Sequence, residues 1–105
     1  MSGYHIPVTF DRSGWENEQR PDHEVFAYWI EQVLVAAFSD GVDYRTQLQI
    51  SRILFKLTRL RSEESFLSLE PADWELIRDC LKRLHVPVSV NRVITQLYEK
   101  FDISL

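Results

Sequence analysis

The stretch LSLEPADWELIRDCLKRLHVPVSVNRVITQLYEKF, Leu67–Phe101, predicts two helices separated by a short break. Pro71 suits the first turn of a helix, and Asp73 places a negative charge there, where the helix dipole favours it. Apolar residues then recur every three or four positions until Pro87 interrupts them, and a second amphipathic segment follows. This outline fits either a DNA-binding helix-turn-helix or the packed half of a small helical domain.

Two further helices are predicted upstream of this stretch. The segment HEVFAYWIEQVLVAAF begins at His23, with Asp22 as its predicted N-cap, and is apolar on nearly all sides. Such a helix is either the centre of the fold or has a second face covered by another copy or a partner. Residues 43–61 predict an amphipathic helix, and its outer face carries basic residues, namely Arg45, Arg52, Lys56 and Arg59. That face is either ordinary solvated surface or a docking site for an acidic partner or nucleic acid.

The amino-terminal segment is expected to be extended. In YHIPVTF, apolar and polar residues alternate from Tyr4 to Phe10, with the period of a β-strand. Pro7 lacks the N–H group that a central strand would need, so we expect an edge strand or an extended arm. The following segment, DRSGWENEQRPD, is polar and contains Gly14 and Pro21, which is typical of a loop.

The chain is expected to be one domain, because 105 residues with 45% apolar content support a single core. Residues 1–43 hold two basic and eight acidic side chains, a net charge of −6, whereas residues 44–105 hold ten basic and eight acidic side chains, a net charge of +2. We therefore predict a mainly α fold over residues 1–105, with an extended acidic leader at 1–22 and a four-helix core at 23–105.

The composition disfavours several functional classes. The 12 Lys and Arg residues against 16 Asp and Glu are unlike a protein whose whole surface binds phosphate or anionic lipid. The longest apolar stretch is shorter than the roughly 20 residues that cross a bilayer. The histidines, the glycines and the single Cys80 match no metal, nucleotide or nucleophile motif, so neither a cofactor nor catalysis is expected.

The segment YRTQLQISRILFKL followed by LSLEPADWELIRDCLKRLHVPVSVNRVITQLYE resembles a group of small helical phage and prophage proteins. The shared features are a Leu-rich basic helix, an acidic helix start, a proline break and a final helix, and they cover roughly residues 44–99. The resemblance implies a phage or prophage origin and a helical fold. It implies no catalytic or binding residues, because none are defined for the group.

Two functional hypotheses follow from these features. The first is a phage accessory protein that acts by protein contact, as an assembly factor or an inhibitor of a host system, and that self-associates. Its predicted contact residues are the apolar and aromatic side chains of the leader and the first helix, namely Tyr4, Ile6, Val8, Phe10, Trp15, Phe26 and Trp29. Such a protein would act in the host cytoplasm or with the virion, because the single cysteine is typical of a reducing compartment.

The second hypothesis is a DNA-binding regulator that uses residues 71–101. Its predicted nucleic-acid contacts are the polar residues around the start of the last helix, namely Ser89, Asn91, Arg92 and Gln96. That helix offers only Arg92 and Lys100 as cations, and acidic residues oppose them near its end. DNA binding relies on phosphate neutralisation, so this charge distribution favours the protein-contact hypothesis.

Overall fold

A computed structural model describes residues 3–15, 18–84 and 92–103 of the chain. In chain order the elements are β1 (Tyr4–Pro7), α1 (Asp22–Ala37), α2 (Tyr44–Thr58), β2 (Phe66–Leu69), α3 (Pro71–Arg83) and α4 (Arg92–Lys100). The predicted mainly α fold with a short extended amino-terminal segment is confirmed. The predicted break at Pro87, together with Ser89 and Asn91, lies outside the described residues.

The amino-terminal strand pairs with a strand that the sequence interpretation missed. β1 runs antiparallel to β2, with Tyr4 opposite Leu69 and Ile6 opposite Leu67. Ile6 and Val8 are buried in the core and His5 and Thr9 are exposed, as the predicted alternation requires, whereas Tyr4 is 40% exposed. Pro7 is tolerated because the described part of the chain forms a two-stranded sheet, in which every strand is an edge strand.

The start of α1 differs from the prediction. The helix begins at Asp22, and its N-cap is Pro21, whose side chain makes no capping hydrogen bond. The carboxylate of Asp22 turns back to the leader instead, where it accepts hydrogen bonds from the Phe10 backbone N–H at 3.1 Å and from Arg12 Nε at 2.8 Å. The proposed capping role of Asp22 is therefore wrong, because a guanidinium offers a stronger, charge-assisted partner than a helical N–H.

One side of α1 is buried and the other is exposed, although the helix is apolar nearly all round. It packs against α2 and α3, and its buried side consists of Val25, Phe26, Ile30, Val33 and Leu34. Tyr28 and Val35 remain exposed on the other side. The sequence predicted either a helix at the centre of the fold or a helix whose second face is covered by another chain. In the structure, α1 has one face packed in the core and a second apolar face that reaches solvent.

The helix α2 has a well-defined start and one buried stripe. Asp43 is its N-cap, and its Oδ1 accepts the Thr46 backbone N–H at 2.8 Å. The hydrogen bonds from Thr46 lower the pKa of Asp43 from its ordinary value. Ile50, Ile53 and Leu57 are buried, which leaves the opposite side of the helix to solvent.

Candidate interaction surface

Three of the predicted contact residues lie in the core. Ile6 and Val8 are buried beneath the sheet, and Phe26 is buried on the inner side of α1. Their apolar surface stabilises the fold by about 1.5–3 kcal/mol for each side chain. They are therefore not accessible to a partner in the folded chain.

The other four predicted contact residues pack partly within the chain. The Tyr4 ring stacks on Trp74 with 4.3 Å between centroids, and Trp29 makes an edge contact with Tyr28 at 5.4 Å. Phe10 and Trp15 lie 5.6 Å apart, centroid to centroid. These aromatic residues of the leader and α1 therefore make part of their contacts within the chain.

Trp15 is enclosed by its own neighbours. The Arg12 guanidinium lies 5.0 Å from the centre of its ring, in a cation–π contact. The indole Nε1 is buried and has no hydrogen-bond partner among the residues that the structure describes. Trp15 therefore packs within the leader, against Arg12 and Phe10.

The polar side chains of α4 hold the leader in place. Gln96 clamps the backbone of Asp11 with two hydrogen bonds, accepting its N–H at 2.8 Å and donating to its carbonyl oxygen at 2.9 Å. Lys100 Nζ donates to the carbonyl of Thr9 and Arg92 Nη1 to that of Ser13. Burial lowers the pKa of Lys100. Two of the predicted DNA contacts, Arg92 and Gln96, are therefore occupied within the chain.

Among the described residues, four of the five most exposed large apolar side chains lie on α2 and β2. Tyr44 is 78% exposed, Leu48 51%, Phe55 59% and Phe66 55%. Tyr44, Leu48 and Phe55 are separated by four and seven positions, so they lie on one side of α2. This spacing was visible in the sequence, but the stronger buried pattern of the same helix obscured it.

Cations accompany these apolar residues on the outer side of α2. Arg52, Lys56 and Arg59 follow one another at spacings of four and three, as the predicted basic face requires. The Arg59 guanidinium lies 5.1 Å from the centre of the Phe55 ring. Lys56 Nζ is 3.5 Å from the carbonyl oxygen of Ser68 in β2. The basic face of α2 therefore extends to the edge of the sheet.

A groove of about 620 Å³ separates α2 from β2. We call its walls the α2–β2 face, which consists of Arg52, Phe55, Lys56, Arg59, Leu60, Arg61, Glu64, Phe66, Leu67 and Ser68. The face has four cations, one carboxylate and two exposed phenylalanines.

Arg52 is fixed at one end of this face. Its Nη2 lies 3.2 Å from Oδ1 of Asp73, and Gln49 Nε2 donates to the same oxygen at 3.1 Å. Asp73 is completely buried at the start of α3, and its second oxygen has no partner among the described residues. The ion pair therefore ties α2 to α3, and the other cations of the face are Lys56, Arg59 and Arg61.

The one thiol of the chain is poorly suited to nucleophilic chemistry. Cys80 is buried in the core, and burial raises its pKa to about 11. Thiolate is therefore scarce at neutral pH. Within residues 3–15, 18–84 and 92–103, no three His, Cys, Asp or Glu side chains come together as a metal site would require.

The chain matches no family model, no curated protein and no solved structure. The phage origin implied by the sequence resemblance therefore stays a prediction. None of the helices in the described part of the chain has the length and apolar character needed to cross a membrane.

Proposed function

We propose that this chain is a small protein-binding module that contacts its partner through the α2–β2 face. The observation that carries the proposal is the pair of exposed phenylalanines, Phe55 and Phe66, among cations at the sides of one groove. Aromatic residues and arginine are enriched at protein interfaces, and they dominate the binding energy there. The resemblance to phage proteins supports an accessory role in the host cell, as an assembly factor or an inhibitor of a host system, without catalysis.

The contacts between α4 and the leader make the DNA-binding alternative the weaker proposal. Gln96 and Lys100 hold the leader backbone, so using them on DNA would require the leader to detach. Arg92 also donates to the leader. A chain of net charge −4 gains less from phosphate neutralisation than a basic domain does. The experiments below therefore include DNA binding as one of their outcomes.

The proposal is tested by site-specific photo-crosslinking in a bacterial lysate. A benzoylphenylalanine at position 55 or 66 is expected to label one discrete protein, whereas the same probe at Glu75, an exposed position of α3, should not label it. The protein is then identified by mass spectrometry and mixed with the chain as a purified pair. Identical labelling from all three positions, or failure of the purified pair to bind, would contradict the proposal.

We also propose that the chain self-associates through the outer side of α1. Val35 is exposed and lies beside a groove of about 730 Å³ between α1 and α2, with Phe38, Val42, Tyr44 and Leu54 along its walls. An exposed apolar cleft of this kind is typical of a surface that another chain covers.

Light scattering at micromolar concentrations is expected to give a mass above that of one chain, because an apolar groove left in water favours association. Val35→Glu should return the mass to the monomer, since it places a charge in that groove. The control Ser62→Glu adds the same charge in an exposed loop and should leave the mass unchanged. A monomer at every concentration would refute self-association without affecting the α2–β2 proposal.

A further inference from the structure

The outer edge of β2 is open to another strand. Val8 N–H donates to the Ser65 carbonyl at 3.0 Å, and in this register residues 65, 67 and 69 direct their backbone groups toward β1. The backbone groups of Phe66 and Ser68 therefore point away from β1. Within the described chain the sheet has two strands, so no third strand lies on that side. An edge of this kind is a template for pairing with an extended peptide.

This edge faces the groove rather than open solvent. The Ser68 carbonyl is one of the outward groups, and Lys56 Nζ on α2 reaches it at a long 3.5 Å. Phe66 and Ser68 also line the groove with their exposed side chains, while Leu67 and Leu69 are directed into the core. A strand added to β2 would therefore lie between the sheet edge and the cations of α2.

The positive charge of the groove favours an acidic peptide segment. Lys56, Arg59 and Arg61 line it and have Glu64 as the opposing carboxylate. Arg52 is partly neutralised by Asp73. An incoming carboxylate would attract Lys56 away from its long contact with Ser68, and this would release that carbonyl for a peptide N–H. Complementary charge also speeds the encounter and rejects basic segments.

The two phenylalanines also favour apolar side chains in the bound peptide. Phe55 and Phe66 are exposed on opposite walls of the groove, so an apolar side chain between them would be removed from water. Side chains of an extended peptide alternate between two faces. Alternate acidic and apolar residues would therefore place carboxylates toward the α2 cations and apolar groups against the aromatic rings.

We propose that the α2–β2 face binds an extended acidic peptide segment of the partner, which adds to the outer edge of β2 as a third strand. The inference rests on the proposed protein-binding function and specifies the partner's chemistry. A peptide fits better than a nucleic acid, because only a polypeptide backbone supplies both the donors and the acceptors that the open edge of β2 pairs with.

The test is fluorescence anisotropy of the full chain with a labelled eight-residue peptide of alternating Glu and Val. We expect saturable binding that weakens as salt rises and that falls at least tenfold in Arg59→Glu. The control Arg45→Glu makes the same change at an exposed arginine of α2 outside the groove and should bind normally. The corresponding Lys and Val peptide should not bind.

A second pair of probes tests strand addition itself and does not depend on how a variant folds. Methylating alternate backbone nitrogens of the Glu and Val peptide removes the donors that β2 needs, so affinity should fall at least tenfold. Hydrogen exchange at the Phe66 and Ser68 amides should slow when the unmodified peptide binds. Equal affinity of the methylated peptide, or unchanged exchange, would overturn strand addition.

Other outcomes separate this inference from the proposed function. If a twelve-residue oligothymidine displaces the peptide or binds in its place, the face is a nucleic-acid site and the inference fails. If no peptide binds but a purified partner found by crosslinking at position 55 does, the partner presents a folded surface. In that case the peptide inference fails and the protein-binding function stands.

Discussion

Ile6→Asp is expected to abolish the cooperative thermal unfolding transition, whereas His5→Asp should leave it nearly unchanged. The two residues are neighbours on β1, but Ile6 is buried against the core and His5 is exposed. The Ile6 substitution removes an apolar contribution of about 1.5–3 kcal/mol and places a carboxylate in the core, which costs several kcal/mol more. Small domains have only about 5–15 kcal/mol of stability in total.

Circular dichroism at 222 nm during heating checks this prediction, together with near-ultraviolet signals from the tryptophans at 20 °C. His5→Asp exchanges a contact between its ring and the Ser68 hydroxyl, at 3.0 Å, for another polar group, so its effect should stay within about 1 kcal/mol. An Ile6→Asp protein that melts like the unchanged chain would mean that β1 does not contribute to the core. The leader would then be free to bind a partner.

The leader shows which features of the fold the sequence alone predicted and which it did not. Alternation in YHIPVTF predicted the strand and its buried side, because a period of two follows directly from strand geometry. Its partner β2 was missed because the four residues of Phe66–Leu69 are too short to stand out between two helices. The pairing joins residues about sixty positions apart, and no local pattern encodes such a separation.

The role of α4 was beyond sequence reasoning for a related physical reason. Gln96 and Lys100 have the side chains expected of a DNA-contacting helix, and nothing in their local sequence shows what they bind. Their partners are backbone groups of Asp11 and Thr9, contributed from the other end of the chain. Residue type predicts the chemistry that a side chain can perform, whereas the tertiary contact decides which partner it meets.

The candidate surface was predicted in part. The basic outer face of α2 was predicted from Arg45, Arg52, Lys56 and Arg59, of which the last three line the groove and Arg45 lies outside it. Its connection to Phe66 was not predictable, because the open edge of β2 exists only after the leader has paired with the opposite edge. The leader thus has an indirect role in the proposed binding function, since its strand holds β2 in an extended conformation beside α2.

Arg52→Met is expected to destabilise the chain by about 2 kcal/mol, more than Asp73→Asn. Asp73 is completely buried, so removing Arg52 leaves a buried carboxylate with Gln49 as its remaining side-chain donor among the described residues. Breaking a buried pair in this way costs about 3–5 kcal/mol, and we expect less here because Arg52 is half exposed. Asparagine at position 73 keeps the acceptor for Gln49 and carries no charge.

Urea unfolding of both single variants and of the double variant Arg52→Met/Asp73→Asn measures the coupling between the two residues. The double variant should be more stable than the sum of the single effects implies, by about 1 kcal/mol, because it contains no buried carboxylate at this position. Arg45→Met, at an exposed arginine of the same helix, controls for the loss of a surface charge and should stay within about 0.5 kcal/mol. Strictly additive effects would show that the ion pair does not tie α2 to α3. The groove beside β2 would then owe its shape to the apolar contacts of Ile50, Ile53 and Leu57 rather than to Arg52 and Asp73.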